Sequence, residues 1–312
     1  METTRKILNL STFFKSILLP LVPMILWGSL FPMIKIGYAA FEIESTNIPD
    51  IIMFASCRFT LCGIILCAIC LVRKEKIAAP IKSNVFKILS LGLFSIVLHY
   101  AFTYIGLAFT DSSKTALLKQ LGVLFYICFA FLFIKDEKFS VLKIVGGVLG
   151  FGGLVAINLN GAGLIFAFGD ILIILASVCT VISSVINKSV ANNNSAFWVN
   201  GLSQLSGGLI MLIAALIMGG KIPKITPWAI FVFLYICTAS MIAYVLYTYL
   251  LRTVSVSKMF IIKFTEPLFA CIFGAMWLGE DIFKIQYLLA FILISAGIIL
   301  GNKTNETKGE AK

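Results

Sequence analysis

Residues 257–278 read SKMFIIKFTEPLFACIFGAMWL. This stretch is long enough to cross a membrane, because a helix of about 20 residues spans the hydrocarbon core of a bilayer. It also contains the basic Lys263 and the acidic Glu266, and charged side chains are costly inside a bilayer unless they are paired or face water. The stretch therefore predicts a membrane helix that contributes to a polar site.

The rest of the chain has the composition of an integral membrane protein. Of its 312 residues, 60% are hydrophobic and 12% are charged, and the mean hydropathy is +1.03. The net charge of +11 is spread in short runs between apolar stretches rather than on one patch, which argues against a nucleic-acid partner. The composition excludes a soluble protein and makes the lipid bilayer the expected surroundings.

Hydropathy predicts an all-α membrane protein with ten spans and short linkers. Lysine and arginine are enriched before the first span, in every second linker and after the last span, and such segments stay in the cytoplasm. Both ends, residues 1–16 and 302–312, are therefore predicted to be cytoplasmic. The predicted spans are Ile17–Tyr38, Ile51–Val72, Val85–Phe109, Ser112–Ile134, Val141–Leu159, Gly169–Asn187, Ala196–Met218, Pro227–Leu251, Ser257–Leu278 and Phe283–Gly301.

The opening stretch has a counterpart earlier in the chain. Displacing the sequence by 144 residues aligns Lys263 with Lys119 without a gap, together with several aromatic residues and glycines. This displacement predicts two repeats of five spans, residues 17–159 and 169–301. Because five is an odd number, the second repeat enters the membrane from the opposite side, as in secondary transporters whose site lies between inverted repeats.

Four segments carry a resemblance to a known family. They are ILWGSLFPMIKIGY at 25–38, FIKDEKFSVLKIVGGVLGFGGLVAIN at 133–158, GDILIILASVCTVISSVINKSV at 169–190 and FTEPLFACIFGAMWLGEDIFKIQYLLAFILISAGIIL at 264–300. Their order and spacing resemble the EamA family of the drug/metabolite transporter superfamily. The resemblance implies a ten-helix carrier with inverted repeats, commonly an exporter of amino acids or other small metabolites that works by alternating access.

Eight residues inside the predicted spans are candidates for a substrate site near the membrane midplane. The basic members are expected to bind a carboxylate or phosphate, the acidic member an ammonium group or a proton, and the aromatic members an apolar face of the substrate. The candidates are Lys119, Lys263, Arg58, Glu266, Tyr100, Tyr244, Trp27 and His99.

Several of these residues also have a structural interpretation. Glu266 would then only form a structural ion pair with Lys263 or Lys119. Arg58 would anchor helix packing through hydrogen bonds to carbonyl groups. His99 would be a packing residue rather than a proton relay. Basic residues near the span ends, such as Lys35 and Lys258, are expected to reach the headgroups.

The sequence thus predicts a secondary transporter of the cytoplasmic membrane that exports a small amino acid or related carboxylated metabolite, and not an enzyme. An organic-phosphate or sugar-phosphate exchanger is an alternative, because sugar-phosphate carriers of the same superfamily have basic residues in the fourth and ninth spans, where Lys119 and Lys263 lie. A non-transporting membrane scaffold is the alternative from another class.

Cysteine and glycine usage bears on cofactors and partners. The eight cysteines lie in apolar stretches and the chain has one histidine, so no cofactor and no metal are expected. The spacings Gly146–Gly150 and Gly297–Gly301 predict close helix contact. They also permit a homodimer without requiring one.

The predicted cytoplasmic position of the chain ends is testable with reporter fusions. A green fluorescent protein fused after Lys312 should be fluorescent and an alkaline phosphatase fused there inactive, because the tail is predicted to stay inside. The same phosphatase fused within residues 39–50, in the first linker, should be active. The opposite pattern of activities would contradict the predicted orientation.

Overall fold

The computed structural model describes residues 18–44, 46–75, 79–107, 112–132, 138–158, 168–279 and 285–302, and within these ranges the chain is helical and has no strand. The helices are α1 (Leu19–Phe41), α2 (Ile48–Val72), α3 (Ala79–Gly92), α4 (His99–Leu107), α5 (Ser112–Phe129), α6 (Val141–Asn158), α7 (Phe168–Ala191), α8 (Ala196–Ile217), α9 (Pro227–Leu250), α10 (Val256–Lys263), α11 (Glu266–Leu278) and α12 (Ile285–Asn302). A π-helical turn, Leu93–Leu98, joins α3 to α4, and a 3-10 turn, Ala130–Leu132, follows α5.

Seven helical segments are long and apolar enough to cross a membrane. They are α1, α2, Asn84–Gly106, α7, α8, α9 and Val256–Leu278, and three shorter apolar helices lie within Leu118–Leu132, Val141–Gly153 and Leu288–Gly301. Large apolar side chains such as Val72, Ile217 and Phe86 are at least 78% exposed on the outer surface of the fold. Surfaces of this kind are covered by lipid in membrane proteins, so the structure supports the predicted all-α membrane fold.

The predicted span Ser257–Leu278 is not one continuous helix. The helix α10 ends at Lys263, and α11 begins at Glu266 after a two-residue turn. Pro267 causes the break, because it has no N–H for the carbonyl of Lys263 and its ring clashes with that carbonyl. The N–H of Thr265 bonds to a carbonyl only three residues back, at 2.9 Å.

The other predicted spans overlap helices whose ends differ by a few residues. The largest differences are at the third span, which begins at Ala79 and contains the π-helical turn, and at the sixth, which continues to Ala191. The first predicted span is a continuous helix through Pro23 and Pro32. The tails 1–16 and 303–312 and several predicted span ends lie outside the described residues.

Helices that are far apart in sequence make the most extensive contacts. These pairs are α2 with α8 and α6 with α12, followed by α1 with α9 and α11, and by α7 with α4 and α5. Under the displacement of 144 residues, the α1–α9 contact corresponds to α7–α4, and the α1–α11 contact corresponds to α7–α5. The helices therefore pack mainly between the two halves of the chain.

The helices α6 and α12 approach each other through glycines. A Cβ atom added to Gly146 would lie 2.6 Å from the carbonyl oxygen of Gly297, and one added to Gly297 would lie 2.5 Å from that of Gly146. Gly150 and Gly301 are equally close to Phe264 and Ile261 of the α10 region. The predicted close contact is confirmed, and these glycine faces are occupied within the chain.

Basic side chains tie together the ends of α7 and α9. Lys188 donates to the carbonyl oxygens of Leu251 and Val254. In return, Arg252 donates to the carbonyl oxygen of Ala191 at 2.9 Å. Helices end with unsatisfied carbonyl groups, so each basic side chain satisfies carbonyls at the end of the other helix and fixes the two helices relative to each other.

The glycine contact between α6 and α12 predicts a position-specific loss of stability. Gly146→Val should lower the free energy of unfolding by about 1–3 kcal/mol, because the new side chain meets backbone and the helices must separate. Gly152→Val on the same helix is the matched control, since a Cβ atom there meets nothing within 4 Å. Thermal unfolding of both variants in detergent checks this, and equal losses of stability would contradict it.

Candidate substrate cavity

A cavity of about 990 Å³ lies between the helices. Residues from α1 to α5 and from α7 to α11 line it, whereas no lining residue comes from the described side chains of α6 and α12. All eight residues predicted from the sequence for the site are on its wall. The structure therefore brings these residues together in one space that is large enough for a small molecule.

The charged residues on the cavity wall are mostly basic. The lining residues include one carboxylate, that of Glu266, and four basic side chains, those of Lys35, Arg58, Lys119 and Lys263. Lys35, which the sequence predicts to reach the headgroups, also lines the cavity and is exposed. A concave surface lined mainly by one sign of charge attracts the opposite charge, and this cavity therefore favours an anion.

Glu266 and Lys263 form an ion pair across the turn that Pro267 creates. The Nζ of Lys263 lies 3.6 Å from the Oε2 of Glu266, and the two side chains are 18% and 13% exposed. The same ammonium group lies 4.8 Å from the centre of the Trp27 ring, in a cation–π contact. The break between α10 and α11 thus holds three of the predicted site residues in contact.

Lys119 lies on the wall without a partner for its ammonium group. Its Nζ makes no hydrogen bond or ion pair within the described part of the chain, although its charge interacts with those of Glu266 and Lys263. The backbone around it is fixed, because Ser177 Oγ donates to the carbonyl of Lys119 at 2.6 Å and accepts from the N–H of Gly122 at 2.9 Å. A rigid helix segment therefore presents an uncompensated cation to the cavity.

Arg58 is held by aromatic side chains. It is 2% exposed, its guanidinium carbon lies 4.2 Å from the centre of the Phe59 ring, and its Nη2 donates to the Tyr100 hydroxyl at 3.2 Å. Its Nε has no hydrogen-bond partner. The anchoring of Arg58 is therefore aromatic rather than through carbonyls, and this cation also has no carboxylate partner.

His99 joins α4 to α7. Its Nδ1 lies 3.1 Å from the carbonyl oxygen of Ala176 and 3.1 Å from the hydroxyl oxygen of Thr180. A bond to a carbonyl requires the proton on Nδ1. This geometry fits the packing interpretation of His99.

Aromatic rings line the space beside the charged residues. Trp27 packs edge-on against Tyr244, with 5.3 Å between the ring centres, and against Tyr247 at 5.2 Å. Tyr100 packs against Tyr104 at 5.7 Å. The two predicted tyrosines are thus each part of an aromatic pair on the cavity wall.

A polar part of the wall was not among the predicted site residues. We call it the amide–hydroxyl cluster; its members are Thr180, Ser183, Ser184 and Asn187 of α7 and Asn200, Ser203 and Gln204 of α8. On both helices the later members follow the first at three and four residues, and on α7 also at seven, which places them on one helical face. This spacing is the sequence signal that could have revealed the cluster.

The fold and the cavity together define a helical membrane protein with an internal binding space: its outer surface is apolar, and polar side chains converge on the cavity. Among the described residues, no three His, Cys, Asp or Glu side chains come together as a metal site would require. The EamA-like transporter family matches residues 14–159 and again residues 167–302. The chain belongs to this family, and the predicted resemblance is confirmed.

Individual relatives are described as transporters. The "Uncharacterized inner membrane transporter YedA" of Escherichia coli (strain K12) is 28% identical over 279 residues, which cover 88% of this chain and 87% of that protein. An "Uncharacterized transporter" of Archaeoglobus fulgidus is 28% identical over 277 residues, covering 85% and 90%. "Uncharacterized transporter YvbV" of Bacillus subtilis (strain 168) is 22% identical over 295 residues, covering 92% of each chain.

One solved crystal structure has the same fold. It superposes with a TM-score of 0.75 at 16% sequence identity, covering 92% of this chain and 96% of that chain. At this level of identity the similarity concerns the fold alone.

The charge arrangement predicts opposite effects of two substitutions on stability. Glu266→Gln should lower the melting temperature, because Lys263 then lacks its counter-ion. The loss in free energy of unfolding should be smaller than the ~3–5 kcal/mol of a fully buried ion pair, since both side chains are partly exposed. Lys119→Gln should leave the melting temperature unchanged or raise it, because it removes an unpaired cation. Thermal unfolding of both ligand-free variants in detergent measures these changes. A larger drop in melting temperature for Lys119→Gln than for Glu266→Gln would contradict the prediction.

Proposed function

We propose that this transporter exports a small amino acid or a related carboxylated metabolite by alternating access. The observation that carries the proposal is the excess of cations over carboxylates on the cavity wall, with the Lys119 ammonium group unpaired. The substrate carboxylate would bind Lys119 and displace part of the water around Lys263. An ammonium group of the substrate would bind Glu266, the carboxylate among the lining residues.

The remaining predicted residues have proposed roles beside these charges. Arg58 adds positive potential behind Tyr100, and Trp27 and Tyr244 provide an aromatic wall against the substrate. We assign His99 to positioning α4 against α7, because both oxygens near its Nδ1 belong to α7. The proposed substrate contacts are Lys119, Lys263, Arg58, Glu266, Tyr100, Tyr244 and Trp27.

The proposed mechanism needs two inverted repeats of five helices, at residues 17–159 and 169–301. Two observations support these repeats. The family matches the chain twice, at 14–159 and 167–302. In addition, the contacts of α1 with α9 and α11 have counterparts 144 residues away, in the contacts of α7 with α4 and α5. A cavity between two such repeats would open to each side in turn as the repeats rock. The predicted cytoplasmic ends complete this proposed topology.

An organic-phosphate or sugar-phosphate exchanger is the second candidate. The excess of basic residues on the cavity wall supports it, because a phosphate group carries more negative charge than a carboxylate. A carboxylate that could receive an ammonium group, Glu266, has no role in this alternative. A scaffold, the third candidate, would use the same lysines for folding only.

Ligand-induced thermal stabilisation of the purified protein tests the proposed function. A ligand that binds the folded state stabilises it by about 2.7 kcal/mol at 100 times its Kd. We expect amino acids or organic acids to raise the melting temperature of the wild type, and Lys119→Gln and Lys263→Gln to abolish the shift. Lys221→Gln, an exposed lysine outside the cavity, is the control and should keep it.

The ligand classes separate the three candidates. A shift with sugar phosphates but not with carboxylates would favour the exchanger. A shift with cationic drugs that is unchanged in both lysine variants would contradict an anion site. If no ligand class shifts the melting temperature and the lysine variants only unfold more easily, the scaffold is favoured.

A further inference from the structure

The amide–hydroxyl cluster is fixed by a buried threonine. Asn187 Nδ2 and Asn200 Nδ2 both donate to Thr248 Oγ1, at 3.0 and 2.8 Å. Beside them, the Tyr247 hydroxyl donates to Ser184 Oγ at 3.3 Å. Because the amide nitrogen atoms bond to α9, the side chains of α7 and α8 are held in one orientation.

Part of this rigid cluster is left without hydrogen-bond partners. Gln204 is 1% exposed and neither its Nε2 nor its Oε1 has a partner; the Oδ1 of Asn187, which is 5% exposed, has none either. A buried polar atom without a partner costs about 1–3 kcal/mol, and such atoms are rare in folded proteins. Both side chains are on the cavity wall, so a molecule in the cavity is placed to pair with them.

The cluster and the lysines occupy different parts of the same cavity. Ser177 contacts the backbone of Lys119, and Asn187 lies ten residues further along α7, which is roughly 15 Å at 1.5 Å per residue. From Lys263, the cluster is reached through the rings of Trp27 and Tyr247. A single elongated ligand can therefore contact cations at one end and neutral polar groups at the other.

The amide side chains of the cluster have no counterpart in the first half of the chain. At the positions 144 residues earlier, Asn187 corresponds to Ile43 and Gln204 to Thr60, and neither of these is among the lining residues that the structure describes. The amide groups therefore belong to the second half alone.

We propose that the amide–hydroxyl cluster is a second subsite that binds an uncharged hydrogen-bonding group of the substrate. The inference rests on the proposed function, in which Lys119 binds the carboxylate. It narrows the substrate class to carboxylates that also carry a hydroxyl or amide group, in preference to aliphatic ones of the same size. Gln204 and Asn187 donate and accept the additional hydrogen bonds.

Pairs of elongated carboxylates with the same shape test this subsite. The pairs are 10-hydroxydecanoate with undecanoate and 9-carbamoylnonanoate with 10-methylundecanoate, and they are compared by calorimetric titration of the purified protein. We expect the polar member of each pair to bind about 10-fold more tightly, the ratio given by one net hydrogen bond of about 1.4 kcal/mol. In Gln204→Leu and Asn187→Leu this ratio should fall to within about 2-fold, as expected when that bond is lost.

Two further variants separate the subsite from the proposed function. Ser240→Ala also removes a buried unpartnered hydroxyl, but one outside the cavity lining, and it should keep the wild-type ratio. Lys119→Gln should remove the binding of both members of each pair. The melting temperature of ligand-free Gln204→Leu should not fall, because the substitution removes buried atoms that have no partner.

The outcomes are distinct. Lysine-dependent binding with equal affinities for both members of each pair would overturn the subsite and leave the proposed function standing. An unchanged ratio in Gln204→Leu and Asn187→Leu would also overturn the subsite. Failure of all four carboxylates to bind would overturn the subsite, and the proposed function would then depend on the thermal shifts caused by smaller carboxylates.

Discussion

Five charged side chains on one cavity wall, four basic and one acidic, must be kept away from lipid. A charge in the hydrocarbon region costs several kcal/mol, so the helices that carry these residues have to turn them toward one another. Apolar side chains then cover the outer surface, as Val72 and Ile217 do. Among the described residues, Glu266 pairs with Lys263 but not with Lys119 or Arg58, and the charge of these two cations needs a hydrated space or a ligand.

A proline and two glycines determine how the helices around this cavity are arranged. Pro267 interrupts the helix so that Lys263 and Glu266 lie on either side of a turn and face each other across it. Gly146 and Gly297 let α6 and α12 pack with backbone contact, outside the cavity. These two helices, which contribute no lining residue among the side chains that the structure describes, pack beside the helices that do.

The sequence was informative wherever a residue type violated the expected chemistry of its surroundings. Lysine at 119 and 263 in apolar spans, and their repetition, led to the cavity residues because burial of a charge has few explanations. Lys35 is exposed near the end of α1 and also lines the cavity, because a snorkelling lysine and a lysine at the cavity edge give the same sequence pattern. The amide–hydroxyl cluster is visible in the sequence only as polar residues on one face of α7 and of α8. That these two faces meet, on Thr248, follows from the packing of the helices.

Transport itself tests the central claim that the cation-rich cavity carries a carboxylated solute across the membrane. Proteoliposomes loaded with unlabelled substrate and diluted into labelled substrate measure counterflow. We expect labelled substrate to accumulate transiently inside the proteoliposomes with the wild type and with Lys221→Gln. With Lys119→Gln, at an equal amount of folded protein, we expect no accumulation. Full counterflow of a carboxylate by Lys119→Gln, or counterflow of cationic solutes by the wild type, would contradict the central claim.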